Sequence, residues 1–319
     1  MTDIMGCAER LKRARGCAVG AAVGDALGMP LEFGPRQPEG RWVRDMRAGS
    51  LPAGTFTDDT EMALALAESV LAAAPLDGAD LARRFVAWLR SGPSDVGIHT
   101  HAVLSRIAGG SGWQAAVAEV QAHNPDSAGN GSVMRCWPVA LARWDDPAAL
   151  IAESELQSRV THPHPECCAG SVFVNLCIRA LLEGLPPAEA VQRALLEREL
   201  SVELRAAIME APSKSPHELP NSGWVRHTVE SAVWGLVTTT NFEDAVVAVV
   251  NLGNDADTAG AVVGALAGAA YGLDAIPQRW QGMLRGEYPL GSGRIWGAVD
   301  LVDLADALVM RGEGDGGAA

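Results

Sequence analysis

Glycine recurs at every fourth position in two distant stretches of the chain, Gly16, Gly20, Gly24 and Gly28 near its start and Gly260, Gly264, Gly268 and Gly272 near its end. That spacing puts each set on one face of a helix. An interior glycine costs roughly 1 kcal/mol against alanine, so even six such positions would cost about as much as the net stability of a typical domain. Something must offset that cost. Bare backbone lets helices approach more closely than usual, so the two glycine faces are predicted to pack against each other, or against a shared third helix, near the centre of the fold. In an antiparallel pairing, the end of the first helix, carrying Asp25 and leading to Glu32, lies beside the start of the second, carrying Asp255 and Asp257.

The remainder reads as helix too. Apolar residues recur at three- and four-residue spacing, as in Leu64, Leu66, Ala67, Val70 and Leu71, or Leu81, Phe85, Trp88 and Leu89, while alternating runs typical of strands are nearly absent. Connectors are short and rich in Gly, Pro, Asn and Asp. With 319 residues, 48% of them apolar, the chain can bury a large core, and no linker composition divides it. The expectation is an all-α fold, a single compact multi-helix domain over residues 1–310 with a flexible tail at 311–319.

Charge and cysteines narrow the function classes. A net charge of -14 without any basic run argues against a nucleic-acid surface, which needs clustered Lys and Arg, so partners are expected to be small molecules or proteins. The six cysteines form no CxxC pair and lie mostly in apolar helical runs, as suits a reducing cytoplasm; Cys167 and Cys168 read more readily as buried thiols than as a redox pair. No secretion signal opens the chain, and its most apolar run, Ala259–Leu273, is shorter than a membrane span. A cytoplasmic location without a membrane partner is expected.

Two clusters of oxygen ligands precede long apolar helical stretches: Thr57-Asp58-Asp59-Thr60, and Asn254-Asp255-Ala256-Asp257-Thr258. Asp and Thr are also ordinary helix caps, but a cap needs one acid. The same arrangement at two helix starts tips the balance toward a split metal site, because carboxylates packed this tightly repel unless a hard cation neutralises them. Thr57, Asp58, Asp59, Asp255, Asp257 and Thr258 offer oxygen only, which suits Mg, Mn or Ca rather than Zn. With Glu32 close by, the carboxylates exceed what one magnesium needs, and a two-metal site becomes plausible.

Between the clusters, Ser127-Ala128-Gly129-Asn130-Gly131-Ser132-Val133-Met134-Arg135 reads as a small-residue loop running into a helix. It suits an anion such as phosphate, and equally a tight turn with a cap. Thr161-His162-Pro163-His164 lies between two helices, where a capping histidine is the commoner explanation, and Asp95 in Ser94-Asp95-Val96-Gly97 reads by default as an N-cap.

Taken together these segments, with Gly24-Asp25-Ala26-Leu27-Gly28 followed by Glu32-Phe33 and with Gly223-Trp224-Val225, fall in the order of the ADP-ribosylglycohydrolase family, which the chain resembles from about Arg15 to Gly272, most of all in its bacterial branch typified by the dinitrogenase reductase activating glycohydrolase. The resemblance implies an all-α fold with a central cleft holding two divalent cations, Mg or Mn, and hydrolysis of the bond between ADP-ribose and an acceptor side chain, such as arginine or serine, on a protein or a small molecule. It implies metal ligation by Thr57, Asp58, Asp59, Asp255, Asp257 and Thr258. It implies catalytic roles for Asp95, an acid acting on the ribose, and for Glu32. Ser127, Gly129, Asn130, Gly131, Ser132 and Met134 would cradle the pyrophosphate, His162 would line the cleft, and Trp224 would contact the nucleotide. Ile98 and His99 depart from the family pattern, which follows the Asp-x-Gly with Asn and Thr. A two-metal nucleotide phosphohydrolase and a non-catalytic, crystallin-like binding protein are the rival expectations.

Overall fold

The computed structural model describes residues 3–315 and bears out the all-α expectation. Fifteen α-helices are found among these residues: α1 (Asp3–Gly28), α2 (Asp58–Ala72), α3 (Gly78–Arg90), α4 (Ile98–Ala108), α5 (Trp113–His123), α6 (Trp137–Ala142), α7 (Pro147–Arg159), α8 (Pro165–Leu182), α9 (Pro187–Glu197), α10 (Val202–Glu210), α11 (Val225–Thr238), α12 (Phe242–Val250), α13 (Ala256–Tyr271), α14 (Gln278–Met283) and α15 (Ala298–Asp315). The sheet content is one antiparallel pair of two-residue strands, β1 (Gly286–Glu287) and β2 (Ile295–Trp296), with Gly286 opposite Trp296.

Helices α1 and α13 form the axis of the molecule and lie antiparallel, glycine face on glycine face. A Cβ at Gly16, Gly20, Gly24 or Gly28 would sit closer than 3.0 Å to the backbone of Gly268, Gly264, Gly260 or Ala256 respectively. These are backbone atoms, which cannot turn aside as a side chain does. No residue with a side chain fits, and the contact that the glycines permit offsets their poor helix propensity. Around this axis α8, α11 and α12 pack on α13, and α15 packs on α1. One hydrophobic cluster draws on helices from α1 to α15, with a small satellite of Val103, Val117 and Val120 between α4 and α5.

Among the described residues one helix, α8, is long and apolar enough to cross a membrane, and most of it is buried among other helices. At the other end of the chain, where the tail was expected from Arg311, α15 continues to Asp315; residues 316–319 lie outside the described residues. Gly312 is buried, and a Cβ there would reach the Ala142 carbonyl oxygen at 3.0 Å and Trp144 at 3.1 Å. It is a close-contact glycine.

Candidate active site

At the C-terminal end of the glycine axis, Asp25 turns its carboxylate into the start of α2. It accepts from the Thr57 and Thr60 amides (3.0 and 3.2 Å) and from both hydroxyls (2.9 Å from Thr57, 2.6 Å from Thr60). Helix α2 therefore has its N-terminus capped by α1, and Thr57, its own N-cap residue, makes no side-chain cap bond. Burial raises the Asp25 pKa to about 6, although these hydrogen bonds pull it down. Asp25 thereby fixes the direction in which Asp58 and Asp59 emerge. Its role was not foreseen in the sequence.

Helix α13 delivers the second cluster. Asp255 is its N-cap residue and makes no side-chain cap bond, so the capping explanation fails at both helix starts. Asp255 Oδ2 instead accepts from the Asn130 amide at 2.9 Å, and its backbone N–H donates to the Asn221 carbonyl at 3.0 Å. The loop carrying Glu32 is tied to the same place. Phe33 N–H donates to the Asn254 carbonyl (2.7 Å) and Asn254 N–H to the Gly34 carbonyl (2.8 Å), with Phe33 and Asn254 both left-handed at φ 56° and 58°. Such backbone is strained by about 1–3 kcal/mol per residue and persists where the surroundings over-determine it, commonly at functional sites. It leaves the Phe33 ring 83% exposed at the rim.

The acids converge. Oxygens of Glu32, Asp95 and Asp257 lie within 4.8 Å of one another. Burial, then the repulsion of neighbouring acids, raises Asp58, Asp59 and Asp257 well above the usual carboxylate range and Glu32 to about 8. Glu61, one turn along α2 from Asp58, is raised to about 7 by burial while accepting from the Trp88 indole at 2.6 Å. Asp95 is not an N-cap, since Gly97 holds that position in α4. The sequence separated Glu32 and Asp95, as catalytic acids, from the metal ligands. In the structure they share one cluster with Asp257.

The cleft beside this cluster measures about 480 Å³ and is lined by the acids Glu32, Asp58, Asp95, Asp255 and Asp257 with Thr258, and by Gly129, Asn130, Gly131, Met134 and His162. Thr57 and Asp59 stand behind it, Thr57 donating to Asp25. The small-residue loop runs through turns at 131–135, and α6 starts only at Trp137, so no helix start stands at its glycines as the sequence suggested. Gly131 is tight for another reason. A Cβ there would meet His162 Cε1 at 2.7 Å and Nε2 at 3.0 Å.

His162 is buried, and its tautomer follows from a chain of donors. The fully buried Arg135 guanidinium, its pKa pulled down to about 9 by burial and still charged at neutral pH, donates to Thr161 Oγ1 at 2.7 Å. Arginine has no acceptor, so the Thr161 hydroxyl proton is left for His162 Nδ1, 2.8 Å away. His162 then carries its proton on Nε2, facing the Gly129–Gly131 turn. Burial holds the ring neutral, with His99 and Arg135 adding to the effect. His99 is set similarly: Nε2 donates to the Thr161 carbonyl at 2.9 Å and Nδ1 accepts from Ser127 at 3.2 Å. The capping histidine of this segment is His164, which accepts from the Glu166 amide.

Three residues expected at the substrate do not line this cleft. Ser127 serves His99; Ser132 is fully buried and accepts from Ser158 at 2.9 Å; the Trp224 indole donates to Glu166 at 3.0 Å. Asn130 lines the cleft but spends its amide on Asp255 and Thr228. Conversely, Asp25, Glu61, His99 and Arg135 had no assigned part. The signal available was their polarity inside apolar helical surroundings.

A hard cation fits this donor set. All the converging groups are oxygens, and Asp59 Oδ1 is buried with no hydrogen-bond partner, which a cation would satisfy and a neutral core would not.

Comparison with known proteins agrees with the fold. The sequence matches the ADP-ribosylglycohydrolase family over residues 7–317. The chain belongs to that family. It is 34% identical to the ADP-ribosylarginine hydrolase Tri1 of Serratia proteamaculans strain 568, over 85% of this chain and 75% of that protein. It is 35% identical to the ADP-ribosyl-[dinitrogen reductase] glycohydrolase of Rhodospirillum rubrum, over 84% of this chain and 88% of that protein. A solved structure described as an ADP-ribosylglycohydrolase-related protein complex superposes with a TM-score of 0.79 at 34% identity, covering 95% of this chain and 99% of that one.

Proposed function

We propose that this protein hydrolyses the glycosidic bond between ADP-ribose and an arginine side chain of a modified protein, with two divalent cations, Mg or Mn, as cofactors. Family membership supports the bond cleaved, the name of the ADP-ribosylarginine hydrolase relative at 34% identity supports arginine as the acceptor, and the name of the dinitrogen reductase relative supports a modified protein as the substrate. The observation that carries the reading is the convergence of Glu32, Asp58, Asp95, Asp255 and Asp257 on one cleft that the Gly129–Gly131 turn and His162 also line.

In this reading the chain's own groups divide the work. The glycine turn and the His162 Nε2–H receive the pyrophosphate with uncharged donors, which position it without a buried cation. Asp95 and Glu32 stand where the proton lost by the attacking water can be moved to the departing guanidine, so that the carbon–nitrogen bond breaks as the carbon–oxygen bond forms. Asp58, Asp59, Asp255, Asp257 and Thr258 would hold the cations, with Thr57 and Asp25 orienting Asp59. Bound cations would supply Lewis-acid charge for the ribose hydroxyls and the incoming water.

The test is product identity. An ADP-ribosylarginine peptide incubated with the protein and Mg or Mn should yield free ADP-ribose with its pyrophosphate intact and an unmodified peptide, and chelation should abolish the release. AMP or phosphate as the product would establish the phosphohydrolase alternative instead.

A further inference from the structure

Beyond Glu32 and Asp95 lies a second chamber of about 540 Å³, whose walls include Met29, Leu51, Ser50 and Ser94. Glu32, Phe33 and Asp95 line both cavities and form the boundary between them; none of the Gly129–Gly131 turn, Met134 or His162 reaches the second. We propose that this chamber receives the arginine side chain being released, together with the residues flanking it, so that the 49–51 turn and Ser94 set acceptor specificity. The inference rests on the ADP-ribosylarginine reading above.

Three observations carry it. First, a bond cleaved at the Glu32–Asp95 boundary has the sugar nucleotide on one side and its acceptor on the other, and this chamber is the space on the other side. Second, no Lys or Arg lines either cavity among the described residues, while the carboxyl groups of Glu32 and Asp95 stand at the boundary, so the lining offers acceptors and no fixed positive charge to a guanidinium. Third, the lining matches an arginine along its length: Met29 and Leu51 for the methylenes, and Glu32, Asp95 and the Ser50 and Ser94 hydroxyls as acceptors for a guanidinium that can only donate. Ser50 gives its proton to Met29 Sδ at 3.6 Å, leaving its lone pairs to accept. The wall is stiff, because a Cβ on Gly49 would meet Pro30 Cα at 2.6 Å.

The experiment changes Ser50, which touches none of the nucleotide-side groups, to Gln, Lys and Trp in the full chain, and measures kcat/KM on an ADP-ribosylarginine peptide beside the Kd of ADP-ribose by calorimetry. Ser50→Lys should lower kcat/KM at least tenfold below the similarly sized Ser50→Gln, and Ser50→Trp at least twentyfold below wild type, each with the ADP-ribose Kd within twofold. Leu51→Trp repeats the block from the neighbouring residue of the same turn and guards against misfolding of one variant, which a thermal melt would reveal. Unchanged kcat/KM in all four, or an equal loss of ADP-ribose affinity, overturns the chamber assignment while the hydrolase stands. A wild-type protein that binds ADP-ribose but cleaves no ADP-ribosylarginine overturns the functional reading itself.

Discussion

One helix pair, α1 against α13, carries two regions of opposite character within a few turns. From Gly16 to Gly24 the contact is dry backbone against backbone, with no room for a methyl group. One residue beyond Gly24 on one helix and three before Gly260 on the other, Asp25 and Asp257 are buried among further carboxylates that repel each other. The first region gains everything from close approach, and the second is opposed by it. Their adjacency teaches how an unfavourable cluster is held: Asp25 and Asp257 cannot separate while the helices bearing them are locked by a seam without slack, and the loop bearing Glu32 is tied to the start of α13 through Phe33, Gly34 and Asn254. Preorganisation of this kind is what a cation site or a charge-stabilising active site requires.

The largest expected effect comes from breaking the seam. Gly24→Ala places a Cβ inside the contact radius of the Gly260 carbonyl oxygen, and neither backbone can yield without opening the axis. Overpacking with no flexible neighbour should cost more than about 3 kcal/mol, and a cooperative thermal transition by circular dichroism should be lost or shifted down by more than about 10 °C. A melt like that of the wild type would show that the seam has slack, and the explanation of the acid cluster would go with it.

Next comes the acid end, where stability and activity should move in opposite directions. Asp59→Asn should lower turnover by more than about a hundredfold and abolish the gain in melting temperature on adding Mg or Mn. In chelator, however, the same variant should melt above the wild type, because one of the repelling charges is gone. Destabilisation in chelator would mean that Asp59 is held by contacts rather than constrained by them.

A pH series separates the two regions without mutation. Glu32, Glu61 and Asp25 have folded values near 8, 7 and 6, above ordinary values of 4.5, 4.5 and 3.8. Raised folded values mean that the native state binds more protons than the unfolded chain between about pH 4.5 and 8, so stability is present at the acid end and lost as pH rises through that window. The melting temperature in chelator should therefore fall by several degrees from pH 5 to pH 8, and saturating Mg should flatten the slope. A flat profile in chelator would place these acids in water rather than in a buried cluster.

How much of this was legible depended on distance along the chain. The glycine repeats and both Asp-rich helix starts are local patterns that left few explanations each, and the seam was among them: the two glycine faces against each other rather than against a shared third helix. Contacts across many residues were not legible in the same way. The capping of α2 by Asp25 joins positions 32 and 35 residues apart, and nothing local marks Asp25 as a cap for a different helix. The union of Glu32 and Asp95 with Asp257 is of the same kind. In the loop from Ser127 to Arg135, small residues announced a tight turn without telling which side chains point down, so Ser132 was taken for a substrate contact when it is buried under the turn. Two-residue strands such as β1 and β2 are too short to leave an alternating pattern.

The smallest effect probes whether the order of the acid end extends across the cleft. Thr161→Val removes the hydroxyl between Arg135 and His162 at nearly constant volume, leaving His162 Nδ1 without its donor. The proton is then free to move to Nδ1, and Nε2 would present a lone pair to the Gly129–Gly131 turn in place of an N–H. Long-range nitrogen–proton correlation spectra should show His162 as the Nε2–H tautomer in the wild type and as a mixture in the variant. ADP-ribose should bind about five- to tenfold more weakly, the worth of one hydrogen bond of about 1 kcal/mol, while kcat changes little, since the contact is to the pyrophosphate in ground and transition states alike. Thr161→Ser keeps the hydroxyl and should restore both tautomer and affinity. A purely structural role for Thr161 would lower stability without moving the tautomer, so the spectrum, rather than the binding constant, decides whether the buried arginine acts on the nucleotide wall through this threonine.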